Sequence, residues 1–266
     1  KNKLRQESIH GQLRVSVRAQ YIKRGMFTMM SLKEIFSQFS SKVYEIFTNL
    51  PQNISEIFKN PVSILTLIAF GIILLLLIKA KNIKFNPKMS AMIGLTLALT
   101  TILDLLKIYH FPQGGGVTLA SMVPIILISY IYGPLVGMLT GFLFGILSLF
   151  FNPYMLHPIQ VLFDYPLPYL SLGLAGFFPN KRILGAVIAV FSRYFFHFIS
   201  GVVFFGSFAP DGVSPWIYSL SVNGLLGLAE GVICIAVLLV LPVNLLIKSA
   251  QVSYGNNSNK NLLNSK

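Results

Sequence analysis

Five ionisable side chains interrupt stretches of the sequence that are otherwise apolar: Asp104, Asp164, Arg193, His197 and Glu230. Such groups are costly at membrane depth and usually face a cavity or one another, which makes them candidates for function. Arg193 and His197 are four residues apart and share one face of a predicted helix. Carboxylate, imidazole, amide and tyrosine groups around one cavity would suit a small, flat, cationic heteroaromatic ligand. The alternative is an internal ion pair, such as Asp164 with Arg193, that holds helices together.

The other two acidic residues have structural interpretations. Asp104 precedes Lys107 by one helical turn, and we interpret the two as an ion pair at a helix end. Glu230 is interpreted as a hydrogen-bonded residue inside a helix bundle. A membrane-embedded hydrolase could use Asp164, His197 and Glu230, but the sequence has no nucleophile elbow, no His-Glu-x-x-His motif and no aspartate pair typical of an intramembrane protease. We therefore expect a non-catalytic protein without a cofactor or a bound metal.

Composition assigns the chain to a membrane. Hydrophobic residues make up 54% of the 266 residues and charged residues only 11%, and the mean hydropathy is +0.70, values that do not suit a soluble globule. The formal charge of +13 comes from basic residues in the first sixty positions, the connectors and the tail, which indicates lipid headgroups as partners and not nucleic acid. Cys234 is the single cysteine, which excludes an intrachain disulfide and a metal cluster built on thiolates.

The lengths of the apolar stretches predict seven transmembrane helices, because about 20 apolar residues cross a bilayer. One extra N-terminal span precedes a core of six, and all must be helical because open strands cannot satisfy their backbone in lipid. The predicted spans are residues 61–79, 89–109, 119–133, 134–151, 158–178, 181–205 and 216–247. The predicted fold class is thus an all-α, multi-pass membrane protein.

Lysine and arginine beside the spans predict the orientation. The basic cluster before the second span, with Lys81, Lys84 and Lys88, is placed in the cytoplasm, and Lys248 then falls on the same side. The connectors 110–116, 152–158 and 206–215 carry almost no positive charge and are placed outside, where a ligand would meet them.

The parts outside the core are assigned by composition. Residues 1–60 form a polar and amphipathic segment, residues 61–79 the extra span, residues 89–248 the substrate-binding domain and residues 249–266 a polar cytoplasmic tail. One explanation for the basic start is that translation begins at Met29 or Met30. Residues 32–47 have helical spacing, which suits either a helix on the membrane surface or a soluble helix packed on the core.

Two rows of small residues follow helical spacing. Glycines recur every fourth residue in the fourth span, at Gly133, Gly137, Gly141 and Gly145, which is typical of close helix packing in lipid. Gly94 and Ala98 extend a second row that starts at Ser90 on the first core helix, where helix packing and partner docking are both open.

Four segments together resemble the thiamine-specific S components of energy-coupling factor transporters, the ThiT/YuaJ family. They are YMLHPIQVLFDY at residues 154–165, SLGLAG at 171–176, RYFFHFISGVVFFGSFA at 193–209 and YSLSVN at 218–223. The resemblance covers residues 89–248 and leaves the first eighty residues outside it. It implies a six-helix subunit of the bacterial plasma membrane that captures thiamine from outside. That subunit would then dock on a transmembrane T component driven by two cytoplasmic ATPases.

The same resemblance implies roles for particular residues. Asp164 stands where the family has a carboxylate that engages the aminopyrimidine, and Phe205 stands at an aromatic stacking position. Further pocket positions fall on Tyr154, Tyr165, His197, Tyr218 and Asn223. The docking motif for the T component falls at Gly94 and Ala98.

Three features of the sequence depart from the family pattern. Asp164 replaces a glutamate, Phe205 replaces a tryptophan, and the first outward connector is glycine-rich where some members carry tryptophan and glutamate. Because ligand choice depends on the site and not on the fold, an S component for another vitamin or for a thiamine precursor such as hydroxymethylpyrimidine is the alternative.

Overall fold

The computed structural model describes residues 32–48, 80–110, 116–151 and 154–250, and single helical positions at 67, 70, 71, 74, 75 and 78. The described helices are α1 (Leu32–Thr48), α2 (Pro87–Leu105), α3 (Val123–Tyr132), α4 (Pro134–Phe151), α5 (Pro158–Asp164), α6 (Pro166–Ser171), α7 (Arg182–Phe204) and α8 (Pro215–Val240). Short 3-10 helices occupy Ala80–Asn82, Leu172–Phe177 and Gly206–Phe208. The only strands in the described ranges are β1 (Lys107–His110) and β2 (Gly116–Thr118).

Four of the described helices are long and apolar enough to cross a membrane: α2, α4, α7 and α8. The two other predicted core spans differ from the expectation of a continuous helix. Residues 119–133 contain only the ten-residue α3, and residues 158–178 divide into α5, α6 and a 3-10 helix. Pro166 explains the second difference, because proline lacks an N–H and restricts the residue before it, so the helix stops at Asp164.

Three helices begin with the same local chemistry, a capping side chain followed by proline. Asn86 accepts a hydrogen bond from the backbone N–H of Met89 at the start of α2. The α5 and α8 helices begin in the same way after His157 and Ser214. The side chain satisfies a free N–H of the first turn, and the proline needs no partner there.

The glycine row of α4 packs against the irregular fifth segment. A Cβ at Gly137 would lie 3.0 Å from the Cα of Gly173, and one at Gly145 would lie 2.5 Å from the Cα of Pro166. A Cβ at Gly141 would collide with the carbonyl of Tyr169. These three glycines therefore serve helix packing, as predicted, whereas Gly133 has a φ of +89° and open space around it, and ends α3.

The connector between α2 and α3 forms a small antiparallel hairpin, a feature that the sequence did not predict. Lys107 pairs with Thr118, and His110 pairs with Gly116 across it. At Gly116 a side chain would strike the carbonyl of Tyr109, so glycine is needed for the close approach of the strands.

The N-terminal helix α1 packs on the core at the C-terminal end of α4. The rings of Phe39 and Phe150 stack with centroids 4.3 Å apart, while Phe36 and Tyr44 remain exposed. Packing on the core was one of the two alternatives for this segment. The predicted extra span at 61–79 lies largely outside the described residues, as do residues 1–31 and 251–266.

Candidate ligand-binding site

A cavity of about 180 Å³ lies among α2, the hairpin and helices α4 to α8. The structure brings all seven residues predicted to bind ligand into its lining: Tyr154, Asp164, Tyr165, His197, Phe205, Tyr218 and Asn223. These residues come from three connectors and from three separate helices, so only the fold places them together. Their contact with a ligand remains a prediction.

Asp164, the last residue of α5, has two polar neighbours in the cavity. The Nε2 of Gln160 donates to its Oδ2 at 2.5 Å, and the Nδ1 of His197 lies 3.5 Å from its Oδ1. The predicted alternative, an ion pair of Asp164 with Arg193, is wrong, because Arg193 pairs with Glu230. Asp164 is left beside a neutral amide and an imidazole, where it can also accept from a ligand.

Gln160 is a site residue that the sequence did not single out. It is fully buried. Besides its bond to Asp164, its Nε2 donates to the carbonyl of Tyr154 at 3.1 Å, and its Oε1 accepts from the N–H of Leu156 at 2.9 Å. Gln160 thus fixes the carboxylate and the preceding connector together. The signal was present in the sequence, since an amide one helical turn before an acidic residue shares its face.

Aromatic side chains form one part of the lining. Phe205 follows the last residue of α7, and its ring stacks on that of Tyr154 at a centroid distance of 5.8 Å and an angle of 22°. The hydroxyl of Tyr165 accepts from the N–H of Tyr154 at 2.8 Å, which holds the connector against the fifth segment. The predicted stacking position is therefore part of an aromatic wall.

Close packing of α7 on α8 positions Asn223. A Cβ at Gly201 would collide with the hydroxyl of Ser219 and lie 2.5 Å from the Nδ2 of Asn223, so the glycine permits this approach. Ser219 is buried and donates to the carbonyl of Phe198 at 2.7 Å, while Asn223 donates to Ser219 at 3.1 Å. The bond from its nitrogen to Ser219 fixes the orientation of the Asn223 amide in the cavity lining.

A second polar network lines the cavity through Arg193, Glu230 and Thr118. Arg193 donates to Glu230, whose other oxygen accepts from the N–H and the hydroxyl of Thr118 at 3.0 and 2.7 Å. The guanidinium of Arg193 also lies 4.9 Å from the ring centroid of Tyr169. Glu230 is thus an interior hydrogen-bonded residue, as predicted. The network ties α7 and α8 to the end of the hairpin.

Asp104 differs from the expectation of a helix-end pair. It lines the cavity, and its Oδ1 accepts from the hydroxyl of Tyr169 at 3.3 Å. No nitrogen of Lys107 lies within 4.0 Å of it in the described structure, although Lys107 also lines the cavity. Trp216, the single tryptophan, packs on Phe198 at a ring-centroid distance of 5.8 Å and does not line the cavity.

The small-residue row of α2 has no partner within the described part of the chain. Gly94 and Ala98 are exposed, and a Cβ built at Gly94 would meet nothing within 4 Å. Within the same ranges, no group of three His, Cys, Asp or Glu side chains could hold a metal ion.

A family model described as "Thiamine transporter protein (Thia_YuaJ)" matches residues 90–249, more than half of the chain. The chain belongs to this family. A relative named "Thiamine transporter ThiT" from Bacillus subtilis (strain 168) is 38% identical over 168 residues, which cover 56% of this chain and 87% of the relative. A relative of the same name from Lacticaseibacillus paracasei is 31% identical over 156 residues, which cover 50% of this chain and 78% of the relative.

A solved structure of ThiT from Listeria monocytogenes matches with a TM-score of 0.52 at 21% identity, over 60% of this chain and 93% of that chain. This likeness supports the fold. The family model confirms the resemblance that the sequence motifs indicated. As a member of this family with four candidate membrane spans, the chain is a multi-pass membrane transport protein rather than an enzyme.

Proposed function

We propose that this chain is the substrate-binding subunit of an energy-coupling factor importer and that it captures thiamine from outside the cell. The observation that carries the proposal is the convergence of all seven predicted binding residues on one cavity. Relatives with 38% and 31% identity are named thiamine transporters, which agrees with this substrate.

Asp164 is suited to the aminopyrimidine half of thiamine. Its carboxylate is held by Gln160 at 2.5 Å and is otherwise directed at the cavity beside His197. An exocyclic amine donates to a carboxylate in a hydrogen bond that is stronger than one between neutral groups. Since Gln160 fixes the carboxylate before ligand arrives, little rotamer entropy is lost on binding.

The aromatic wall is suited to the thiazolium half, which carries a permanent positive charge. Phe205, Tyr154 and Tyr218 supply ring faces in the lining, and a cation near such a face is attracted by the ring quadrupole. Asn223, anchored through Ser219, supplies a polar group to the same cavity. Phenylalanine at 205 offers a smaller face than the tryptophan expected from the family pattern.

Coupling to an energising module is proposed for the exposed row on α2. Gly94 and Ala98 leave the helix surface flat and without a partner in the described structure. Small residues let a second helix approach closely in lipid, where no hydrophobic force drives association. We propose that a T component, powered by two ATPases, docks here.

Calorimetric titration of the purified chain in detergent tests the proposal. Thiamine should bind, with riboflavin and biotin as negative controls and hydroxymethylpyrimidine as a fragment carrying only one ring. Heat is the better signal because the single tryptophan lies outside the cavity lining. Binding of hydroxymethylpyrimidine as tight as that of thiamine would make the precursor the substrate, and binding of riboflavin or biotin alone would overturn the thiamine assignment.

A further inference from the structure

Asp104 is a carboxylate in the cavity wall for which the proposed thiamine contacts give no role. It is the second-last residue of α2, and it lies half-buried in the cavity lining. The hydroxyl of Tyr169 donates to its Oδ1 at 3.3 Å. In the described residues, no Lys, Arg or His nitrogen lies within 4.0 Å of this carboxylate.

The other acidic groups of the cavity already have strong partners. Glu230 is matched by the guanidinium of Arg193 and two bonds from Thr118. Asp164 has the amide of Gln160 and the imidazole of His197. Asp104 has one hydrogen bond, from a phenol, and Lys107 and Arg193 act on its charge only from beyond 4.0 Å. This compensation is weaker than the direct contacts of Glu230 and Asp164, and a partly buried carboxylate gains from a closer cation.

Tyr169 is rigidly held, so its bond to Asp104 has a fixed direction. The Tyr169 ring lies under the guanidinium of Arg193 at 4.9 Å and meets the ring of Phe144 edge-on at 4.6 Å and 83°. A donor held this firmly orients the carboxylate before ligand binds. Asp104 is therefore a pre-positioned acceptor that faces the cavity from α2, while Asp164 faces it from α5.

We propose that Asp104 is a second carboxylate of the ligand site and that it selects for ligands with a positively charged ring. The attraction between a cation and a carboxylate strengthens as water is excluded from the cavity. A permanently charged ring supplies the compensation that the carboxylate lacks, whereas a neutral ring of the same shape does not. This inference rests on the proposed function, because it assigns one half of the thiamine molecule to Asp104.

The test compares thiamine with an analogue in which the charged thiazolium is replaced by a neutral thiophene ring. Dissociation constants are measured by calorimetry for the wild type and for Asp104→Asn, which keeps the shape and the bond from Tyr169. The substitution should raise the dissociation constant for thiamine by about tenfold or more, as expected for the loss of a charged contact. It should change the affinity for the neutral analogue by less than about twofold, because that ligand has no charge to lose.

Two further variants separate charge from structure. Asp104→Glu keeps the charge and should retain the preference for thiamine over the neutral analogue. Asp164→Asn should weaken both ligands alike, since both carry the aminopyrimidine. If Asp104→Asn does not fold, Tyr169→Phe removes only the hydroxyl that orients Asp104 and should reduce the preference for thiamine by about twofold to fivefold.

The outcomes distinguish the two proposals. If Asp104→Asn weakens the binding of both ligands equally, or of neither, Asp104 does not select for the charged ring. The inference is then overturned, while thiamine binding stands. If the wild type binds neither thiamine nor its neutral analogue, the proposed function fails and the inference fails with it.

Discussion

The buried ion pair of Arg193 with Glu230 leads to a prediction about the stability of the fold, which does not depend on the identity of the ligand. Glu230→Gln keeps an oxygen that can accept from the N–H and hydroxyl of Thr118, and it keeps nearly the same volume. It removes only the negative charge, and so leaves the guanidinium of Arg193 buried against Tyr169 without a carboxylate.

The expected cost follows from burial. The side chain of Glu230 is 5% exposed and that of Arg193 12%, and removal of one partner from a buried pair costs about 3–5 kcal/mol. The pair of Lys42 with Glu45 on α1 is the matched control, with side chains 42% and 60% exposed. Glu45→Gln should cost at most about 0.5 kcal/mol, because exposed pairs within one helix contribute little.

Thermal unfolding in detergent without ligand measures both substitutions. Glu230→Gln should lower the unfolding midpoint clearly, and Glu45→Gln should leave it nearly unchanged. A double variant, Arg193→Met with Glu230→Met, should be less destabilised than Glu230→Gln alone, because it leaves no unpaired charge. Equal midpoints for Glu230→Gln and Glu45→Gln would refute the reasoning that this pair is buried and coupled.

Three further predictions concern packing, coupling and the aromatic wall. Gly141→Leu should prevent α4 from packing and reduce the yield of folded protein, whereas Gly94→Ala, where the Cβ meets open space, should not. Gly94→Leu and Ala98→Leu should leave thiamine binding intact and abolish uptake in cells that carry the whole transporter; normal uptake would place docking elsewhere. Phe205→Trp should tighten thiamine binding and Phe205→Ala should weaken it, by about 0.5–2 kcal/mol in calorimetry. If Phe205→Ala weakened the binding of a neutral analogue as much as that of thiamine, the ring would contribute only hydrophobic contact and no cation–π attraction.

The sequence motifs named residues that share one cavity, but they did not predict which polar groups pair within it. Motifs at fixed spacing named Asp164, His197 and Asn223, and the structure places all three in the lining of one cavity. Whether Arg193 would pair with Asp164 or Glu230 depends on how the helices are rotated about their axes, and helical spacing carries no information on that rotation.

Helix continuity was the other property that hydropathy did not predict. Residues 158–178 are apolar enough for one span, yet they divide into α5, α6 and a 3-10 helix. Pro166 and Pro168 were visible in the sequence and predict an interruption. The antiparallel pairing of β1 with β2 left a weaker signal in the sequence, since glycines in a connector are compatible with many conformations.

Substitution of Asp164 tests most directly whether the cavity binds thiamine as proposed. Asp211→Asn is the matched control, because Asp211 lies exposed in the connector before α8 and does not line the cavity. Calorimetry should give an Asp164→Asn dissociation constant for thiamine at least about tenfold higher than that of the wild type, with Asp211→Asn unchanged, since a charged hydrogen bond contributes about 1.5–3 kcal/mol. Equal affinities for the two variants would contradict the assignment of this cavity as the thiamine site.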